Sequence, residues 1–134
     1  MTEKALKPFV VSEGDGRSYE WHDVVFTMKA GGGETGGALS LWDITTKPGE
    51  EPNEHIHDDV HEMFYVLSGN ITFRSGRRRF PAERGAFMFI PRGTPHTYRI
   101  DSKRVRLLGF TTPSDFGDHI QRTGRRIKTG NGRR

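Results

Sequence analysis

The sequence predicts a small all-β protein that folds as a single barrel. Its 134 residues suit one domain with a core of its own. Hydrophobic residues make up only 32% of the chain, whereas there are 17 glycines, a composition typical of short strands joined by tight turns. Short β-favouring segments follow one another closely, with turn residues between most of them. No internal repeat is visible, so we expect one barrel and not a duplicated pair.

The first elements follow from local composition. Residues 1–18 are polar and contain a Gly-Asp-Gly turn, which predicts an N-terminal arm. Residues 19–28 carry aromatic and β-branched side chains and predict the first strand. The glycine-rich residues 31–37 predict a mobile loop. The next strand is predicted over Leu39 to Thr46, and a loop rich in proline and acidic residues follows at 47–54.

The remaining barrel strands are shorter and are separated by Gly, Pro, Ser and Asn. They are predicted over 55–57, 62–68, 70–74, 78–80, 86–90, 96–100 and 104–111. Only 114–121 has a helical pattern, with Ser114 as its cap and Phe116 and Ile120 four residues apart on one face. We therefore expect a barrel over residues 19–120 that ends in a short helix.

The net charge of +4 comes from the C-terminal segment. Residues 121–134 contain six basic residues and no acidic ones, which leaves 15 basic against 17 acidic residues in the rest of the chain. Like charges mixed with Gly and Thr predict a solvated, disordered tail. No aromatic stacking platform accompanies them, so weak contact with a polyanion is the lesser alternative and we expect no nucleic-acid partner.

Composition also narrows the location and the kind of site. The chain has no cysteine, so neither a disulfide framework nor a thiolate metal site is available to it. Residues 1–20 lack the pattern of a signal segment, and no apolar run is long enough to cross a bilayer. We expect a soluble cytoplasmic protein without a membrane partner.

One segment carries side chains suited to binding a metal ion. Residues two apart on a strand point to the same face, so His55 and His57 can converge on one ion while Ile56 faces away. Glu62 opens the following strand and lies close enough to add a carboxylate. Alternation turns the neighbouring His61 away from this face, towards the surface or a supporting position.

A second segment supplies a fourth ligand. An apolar strand at 86–90 ends in a Pro-Arg-Gly turn, and the chain returns with His96 at the start of a new strand. Imidazole and carboxylate ligands accept one divalent Mn, Fe, Ni, Co, Cu or Zn ion, and the residues do not select among these metals. A vestigial site that keeps the residues without binding a metal is the alternative.

The two segments together resemble the cupin superfamily. The first is similar to its first motif, Gly, five residues, His-x-His, four residues, Glu, six residues, Gly, beginning at Gly49. The second is similar to its second motif, Gly, five residues, Pro-x-Gly, two residues, His, beginning at Gly85. The resemblance implies a double-stranded β-helix, the cupin jelly-roll barrel, with His55, His57, Glu62 and His96 as metal ligands. It also implies a homodimer, which open sheet edges favour.

The stretches Phe-Tyr-Val-Leu-Ser-Gly and Phe-Ile-Pro-Arg-Gly-Thr-Pro-His look like those of small bacterial cupins related to quercetin 2,3-dioxygenase. In those proteins the metal binds a substrate oxygen and the glutamate ligand can act as a base. The resemblance implies an oxygenase for a small aromatic or enolic substrate, with Glu62 as the catalytic residue. A cyclase, isomerase or lyase, which uses the metal as a Lewis acid, and a binding module without catalysis are the alternatives.

Four apolar residues are candidates for the substrate pocket: Phe64, Val66, Phe89 and Tyr98. Most such side chains serve as ordinary barrel filling, and the same holds for Trp42. Tyr98 is the strongest candidate because it shares a strand face with His96 and carries a hydroxyl. His22 and His119 have no partner pattern and are expected to be solvated imidazoles.

Overall fold

The computed structural model describes residues 5–114 and the backbone of residues 125–127, and it consists almost entirely of antiparallel strands. The prediction of a single all-β barrel is confirmed. The strands are β1 (Arg17–Trp21), β2 (Val24–Ala30), β3 (Ser40–Thr46), β4 (His61–Ser68), β5 (Asn70–Ser75), β6 (Arg78–Glu83), β7 (Phe87–Ile90), β8 (Thr97–Ile100), β9 (Val105–Thr112) and β10 (Arg125–Ile127). One short helix, α1 (Gly32–Thr35), lies between β2 and β3.

The strands form two sheets. A seven-stranded sheet has the order β10-β1-β2-β3-β9-β4-β7, and a three-stranded sheet has the order β6-β5-β8. Sequence neighbours are separated within the large sheet, because β9 inserts between β3 and β4 and pairs with both. The polypeptide therefore crosses between the sheets instead of running as a simple meander.

One hydrophobic core fills the space between the sheets. Trp42 on β3 and Leu107 on β9 come from the large sheet, and Ile71 and Phe73 on β5 come from the small one. All four are at most 1% exposed. Alternate residues of β2, β3 and β9 are buried, which is the pattern of strands with one face on the core.

The first predicted strand is a hairpin of two strands. β1 and β2 pair with Trp21 opposite Val24, and His22 and Asp23 form the connection. Both turn residues have positive φ, 54° and 64°, as the two central residues of a type I′ turn do. The single-strand prediction for residues 19–28 was wrong because this turn is made by His and Asp, which carry a weaker turn signal than Asn-Gly.

The glycine-rich segment also differs from its prediction. Residues 32–35 form one helical turn, which ends at Gly36 with a left-handed φ of 62°. The Thr35 hydroxyl donates to the carbonyl oxygen of Gly31 over 2.8 Å and stabilises this turn. Residues 55–57, predicted to form a strand, contribute only an isolated bridge through His55.

Predictions for the C-terminal region fall largely outside the described residues. The helix predicted over 114–121 lies there apart from Ser114, and His119 lies there as well. Within the basic segment 121–134, the backbone of Arg125–Ile127 pairs with β1 as strand β10 instead of remaining irregular. This pairing meets the outward backbone groups of β1, which an edge strand leaves unpaired. Among the described residues, no helix has the length and hydrophobicity that a membrane span requires.

The turn between β4 and β5 depends on a glycine. Gly69 has a φ of 87°, and a Cβ atom there would collide with the carbonyl oxygen of Arg104 and the side chain of Val105. Gly76, in the turn between β5 and β6, also has a positive φ of 61°, but a Cβ atom there would meet nothing within 4 Å. A side chain at either position would strain the backbone, but only at Gly69 would it also collide with neighbouring atoms.

We expect Gly69→Ala to lower the free energy of unfolding by about 2 kcal/mol more than Gly76→Ala does. Both changes carry the cost of a left-handed alanine, about 1–2 kcal/mol, and only the first adds overpacking against backbone. Chemical denaturation of the two variants measures the difference. Equal losses of stability would show that the β4–β5 turn can move away from Arg104.

Candidate metal centre

Four side chains converge at one end of the barrel. One potential ligand atom from each of His55, His57, Glu62 and His96 lies within 4.8 Å of the others. The histidine rings are close together, with centroids 4.3 Å apart for His55 and His96 and 4.9 Å apart for His55 and His57. The structure thus brings together all four residues that the two sequence motifs single out.

The main chain positions two of these histidines. The N–H of His55 donates to the carbonyl oxygen of His96 over 3.0 Å. The N–H of His96 donates in return to the carbonyl oxygen of His55 over 2.9 Å. Residues that exchange both bonds lie directly opposite each other, so their side chains share a face. The loop that precedes β4 is thereby joined to the start of β8.

The other two ligands are held by neighbouring strands. Glu62 lies on β4 opposite Ile90 on β7 and Thr111 on β9, and it is only 3% exposed. The carbonyl oxygen of His57 accepts a hydrogen bond of 2.8 Å from the N–H of Gly93, which ties His57 to the turn that precedes His96. Glu62 therefore comes from the body of the large sheet, and His57 from a loop tied to the second motif.

Hydrogen bonds orient two of the imidazole rings. The Nδ1 atom of His55 lies 2.7 Å from the carbonyl oxygen of Asn53, and that of His96 lies 2.8 Å from the carbonyl oxygen of Thr94. A carbonyl oxygen only accepts, so each Nδ1 carries a hydrogen. The Nε2 atom of each ring is consequently the one available to a metal, as in the usual supporting arrangement of metal-binding histidines.

Glu62 is the electrostatic centre of the cluster. Its Oε1 atom lies 2.9 Å from Nε2 of His96 and 3.6 Å from Nε2 of His57. Burial opposes a charge on His96, but the hydrogen bonds to Glu62 and to Thr94 outweigh it, and the pKa of His96 is raised above its ordinary value. Without a metal, this shift favours the charged imidazolium of His96 beside the Glu62 carboxylate.

The residues fit a divalent transition metal. Ligands about 2.1 Å from one ion lie at most about 4.2 Å apart, so a small inward movement brings the four atoms to ligand distance. Three imidazoles and one carboxylate match ions of intermediate softness, from Mn to Zn, and do not choose among them. An ion held here would take the place of the hydrogen between Nε2 of His96 and the carboxylate of Glu62.

A cavity of about 760 Å³ opens beside the four residues. Its inner wall is apolar, built from Val24 and Phe26 of β2, Ile44 of β3, and Phe64 of β4. This volume lies within the range that accommodates one small organic molecule. A metal bound here would face a largely apolar chamber.

Tyr98 supplies a polar group to the chamber. Burial, followed by the charges of Glu62 and Glu51, raises the pKa of Tyr98 far above its ordinary value. Its hydroxyl therefore remains protonated and can donate a hydrogen bond to a bound molecule. Its ring packs edge-on against Phe64 and Phe73, which holds it in place.

The structure separates the four candidate pocket residues into two pairs. Phe64 and Tyr98 line the cavity. Val66 is 1% exposed and lies in the core, because two more residues along β4 carry it away from the ligand end. Phe89 is 47% exposed on the other face of β7 from Ile90 and stacks near His61. Trp42 is fully buried in the core and does not reach the cavity.

Sequence reasoning missed part of the cavity wall. Trp21 and His22, at the end of the β1–β2 hairpin, line the cavity together with Val24 and Phe26. No local pattern marked these residues, because they lie far in sequence from the two motifs and meet the ligands only in the folded barrel. His61 faces away from the cluster as alternation predicted, and its Nδ1 accepts a hydrogen bond from the N–H of Arg92.

The loop that carries His55 is anchored on the small sheet. The carboxylate of Glu51 accepts hydrogen bonds from the N–H groups of Ile100 and Gly49, at 3.0 and 2.8 Å. Burial raises the pKa of Glu51, but these backbone donors outweigh it and the net shift is downward. The Thr97 hydroxyl donates to the carbonyl oxygen of Pro52 over 2.7 Å. His55 therefore sits on a fixed segment.

Comparison with known proteins gives a consistent result. A family model described as "Cupin domain" matches residues 42–110. Quercetin 2,3-dioxygenase of Bacillus subtilis (strain 168) is 32% identical over 108 residues, which are 81% of this chain and 32% of that protein. The chain thus spans about a third of the length of this relative.

Solved structures support the fold. KdgF from a Halomonas species superimposes with a TM-score of 0.71 at 13% identity, over 85% of this chain and 98% of that one. A cupin-like protein from Thermotoga maritima gives a TM-score of 0.62 at 17% identity, over 71% of this chain and 76% of that one. At these identities the likeness concerns the fold alone.

We expect the protein to bind one equivalent of a divalent transition metal. His57→Ala should weaken Zn²⁺ binding at least about 100-fold, because one of four ligands is lost. His61→Ala is the matched control and should leave the affinity unchanged, because this ring points away from the cluster. Elemental analysis and calorimetric titration measure both variants. Equal binding by wild type and His57→Ala would contradict the assigned ligand set.

Metal binding should strengthen as the pH rises. The raised pKa of His96 means that protons compete with the metal above pH 6.5, by about tenfold in affinity for each pH unit while one proton is displaced. In the metal-free protein, the charged His96 stabilises the fold below pH 6.5, and this contribution disappears as the pH rises through the raised pKa. The melting-temperature difference between loaded and metal-free protein should therefore widen from about pH 6 to pH 8. A difference independent of pH would contradict this assignment.

Proposed function

Since the chain belongs to the cupin family, we propose that it is a metal-dependent oxygenase that acts on a small aromatic or enolic molecule. The observation that carries the proposal is the position of the histidine–glutamate cluster in the wall of a largely apolar cavity. The similarity to quercetin 2,3-dioxygenase supports the choice of reaction. That relative is about three times as long, so its activity is a guide and its substrate is not carried over.

Each part of the cavity has a role in this proposal. A metal held by the four residues would supply Lewis acidity towards an ionised substrate oxygen and access to dioxygen chemistry. Glu62 accepts the proton that the substrate hydroxyl loses, because its carboxylate lines the cavity in which the substrate binds. The protonated Tyr98 hydroxyl donates a hydrogen bond that orients the substrate. The walls formed by Val24, Phe26 and Phe64 exclude water from the reacting group.

Glu62→Gln should lower the rate of oxygen consumption about 100-fold or more, because the amide cannot accept the substrate proton. The amide oxygen can still contact a metal, so metal content should remain near that of the wild type. An oxygen electrode, with a panel of flavonols and enediols and with protein loaded separately with each metal, measures the rate. His61→Ala serves as the control and should retain full activity.

Three outcomes separate the candidate functions. Oxygen consumption that depends on metal and on Glu62 supports the oxygenase. Turnover that is unchanged under strictly anaerobic conditions would instead select a cyclase, isomerase or lyase. Thermal stabilisation by ligands without turnover, unchanged in Glu62→Gln, would indicate a binding module.

We also propose that the protein forms a homodimer through the outer face of β4 and β7. Tyr65, Phe87 and Phe89 are 39%, 58% and 47% exposed on this face, and β7 is an edge strand of the large sheet. Three large exposed aromatic side chains beside an open edge favour association.

The cytoplasmic location of the protein stays a prediction.

The double variant Phe87→Glu/Phe89→Glu should be monomeric at concentrations at which the wild type is dimeric. The added carboxylates would repel across the face and would be costly to bury. Sedimentation velocity measures the change. Ile56→Glu is the control, because Ile56 is 51% exposed but lies on the loop and not on β4 or β7. A wild type that sediments as a monomer would contradict the proposal.

A further inference from the structure

The far wall of the cavity contains an aromatic pair that the proposed chemistry does not use. Trp21 ends β1 and His22 begins the turn, and both line the cavity. Their rings meet edge-on, with centroids 4.8 Å apart. Trp21 is half-buried and His22 is exposed, so the pair lies between the apolar interior and the solvent.

The turn that carries this pair is held in a costly conformation. His22 and Asp23 both have positive φ, and neither is glycine. Non-glycine residues hold such angles where the surrounding structure determines them, and they are frequent beside ligand sites. Asp23 lies 3.7 Å from the ammonium of Lys47, so the loop that leaves β3 begins beside this turn. The pairing of β1 with β2 sets the position of Trp21 and His22.

The loop before His55, which contributes more of the cavity lining, is acidic. Glu50, Glu51 and Glu54 line the cavity, whereas no lysine or arginine does so within the described part of the chain. The carboxylate of Glu51 is engaged by the N–H groups of Ile100 and Gly49. Glu54 directly precedes His55 and its charge acts on His96, so it lies by the metal ligands. The N–H of Glu50 donates to the carbonyl oxygen of Lys47 over 3.3 Å, so Glu50 is the carboxylate near the turn that carries Trp21 and His22. A negatively charged substituent at the mouth would have no cationic side chain to pair with.

We propose that Trp21 and His22 form a recognition subsite for the distal ring of an uncharged planar molecule, and that Glu50 disfavours molecules with an anionic group on that ring. The subsite rests on the proposed function, because it takes the metal centre as the anchor of the other end of the molecule. An aromatic ring gains from stacking on indole, and an unpaired anion on that ring is repelled by the carboxylate of Glu50.

Three related probes test this subsite. Catechol offers two hydroxyl groups to the metal and has no second ring, 4-phenylcatechol adds an uncharged distal ring, and 4-(4-sulfophenyl)catechol places an anion on that ring. Binding is measured by calorimetry without oxygen on Zn²⁺-loaded protein, so that no turnover occurs. The wild type should bind 4-phenylcatechol at least about tenfold more tightly than the sulfonated probe.

Variants assign these preferences to residues. Trp21→Ala should weaken 4-phenylcatechol about 3- to 10-fold and leave catechol unchanged, because only the larger probe carries the distal ring. Trp21→Leu keeps apolar bulk without an aromatic ring and should show the same selective loss. Phe9→Ala, exposed before β1 and outside the cavity lining, is the matched aromatic control and should change neither affinity. Glu50→Gln should improve binding of the sulfonated probe at least about threefold and leave 4-phenylcatechol within twofold.

The outcomes distinguish the subsite from the oxygenase. Unchanged 4-phenylcatechol affinity in Trp21→Leu, or an unchanged sulfonate penalty in Glu50→Gln, would overturn the subsite. Failure of the wild type to prefer 4-phenylcatechol over catechol would overturn it as well. Selective binding through Trp21 in a protein that consumes no oxygen with any metal would support the subsite and remove the oxygenase.

Discussion

The backbone pair between His55 and His96 is the contact on which the metal centre depends. Two reciprocal hydrogen bonds place these residues opposite each other, so the closeness of their rings follows from main-chain geometry. The pair also brings the loop before β4 to the start of β8, where Glu51 and Thr97 anchor it further. Glu62 then needs only the ordinary pairing of β4 with β7 and β9 to face both imidazoles.

Electrostatics explains why these side chains occur as a set. A carboxylate as buried as Glu62 is costly unless positive charge or hydrogen-bond donors accompany it. His96 provides both at 2.9 Å, and the Thr94 carbonyl oxygen fixes the opposite nitrogen of the same ring. The same arrangement that offsets the cost of burying Glu62 in the metal-free protein also presents ring nitrogens and a carboxylate to an ion. Stability and metal binding therefore draw on one group of contacts.

Much of this fold could be predicted from the sequence, because its strands are separated by residues with clear turn preferences. The strands from β3 to β9 lie within about three residues of their predicted bounds, and alternation placed His61 correctly. The motif spacing also selected four residues that meet in space. The His-Asp turn was missed because its positive φ angles are imposed by the hairpin. The part of the cavity wall formed by Trp21 was missed because this residue lies far in sequence from both motifs. Alternation tells which face of a strand a side chain lies on, but not how far along the barrel it lies. It could not therefore separate Phe64 in the cavity from Val66 in the core.

The placement of the four ligands across two sheets has a mechanical consequence. Glu62 belongs to the seven-stranded sheet, whereas His96 directly precedes β8 in the three-stranded sheet. An ion bound by both would cross-link segments 34 residues apart in a chain that has no cysteine to do so. Filling the coordination sphere and fastening the loop before β4 and the start of β8 to the large sheet would then be a single event.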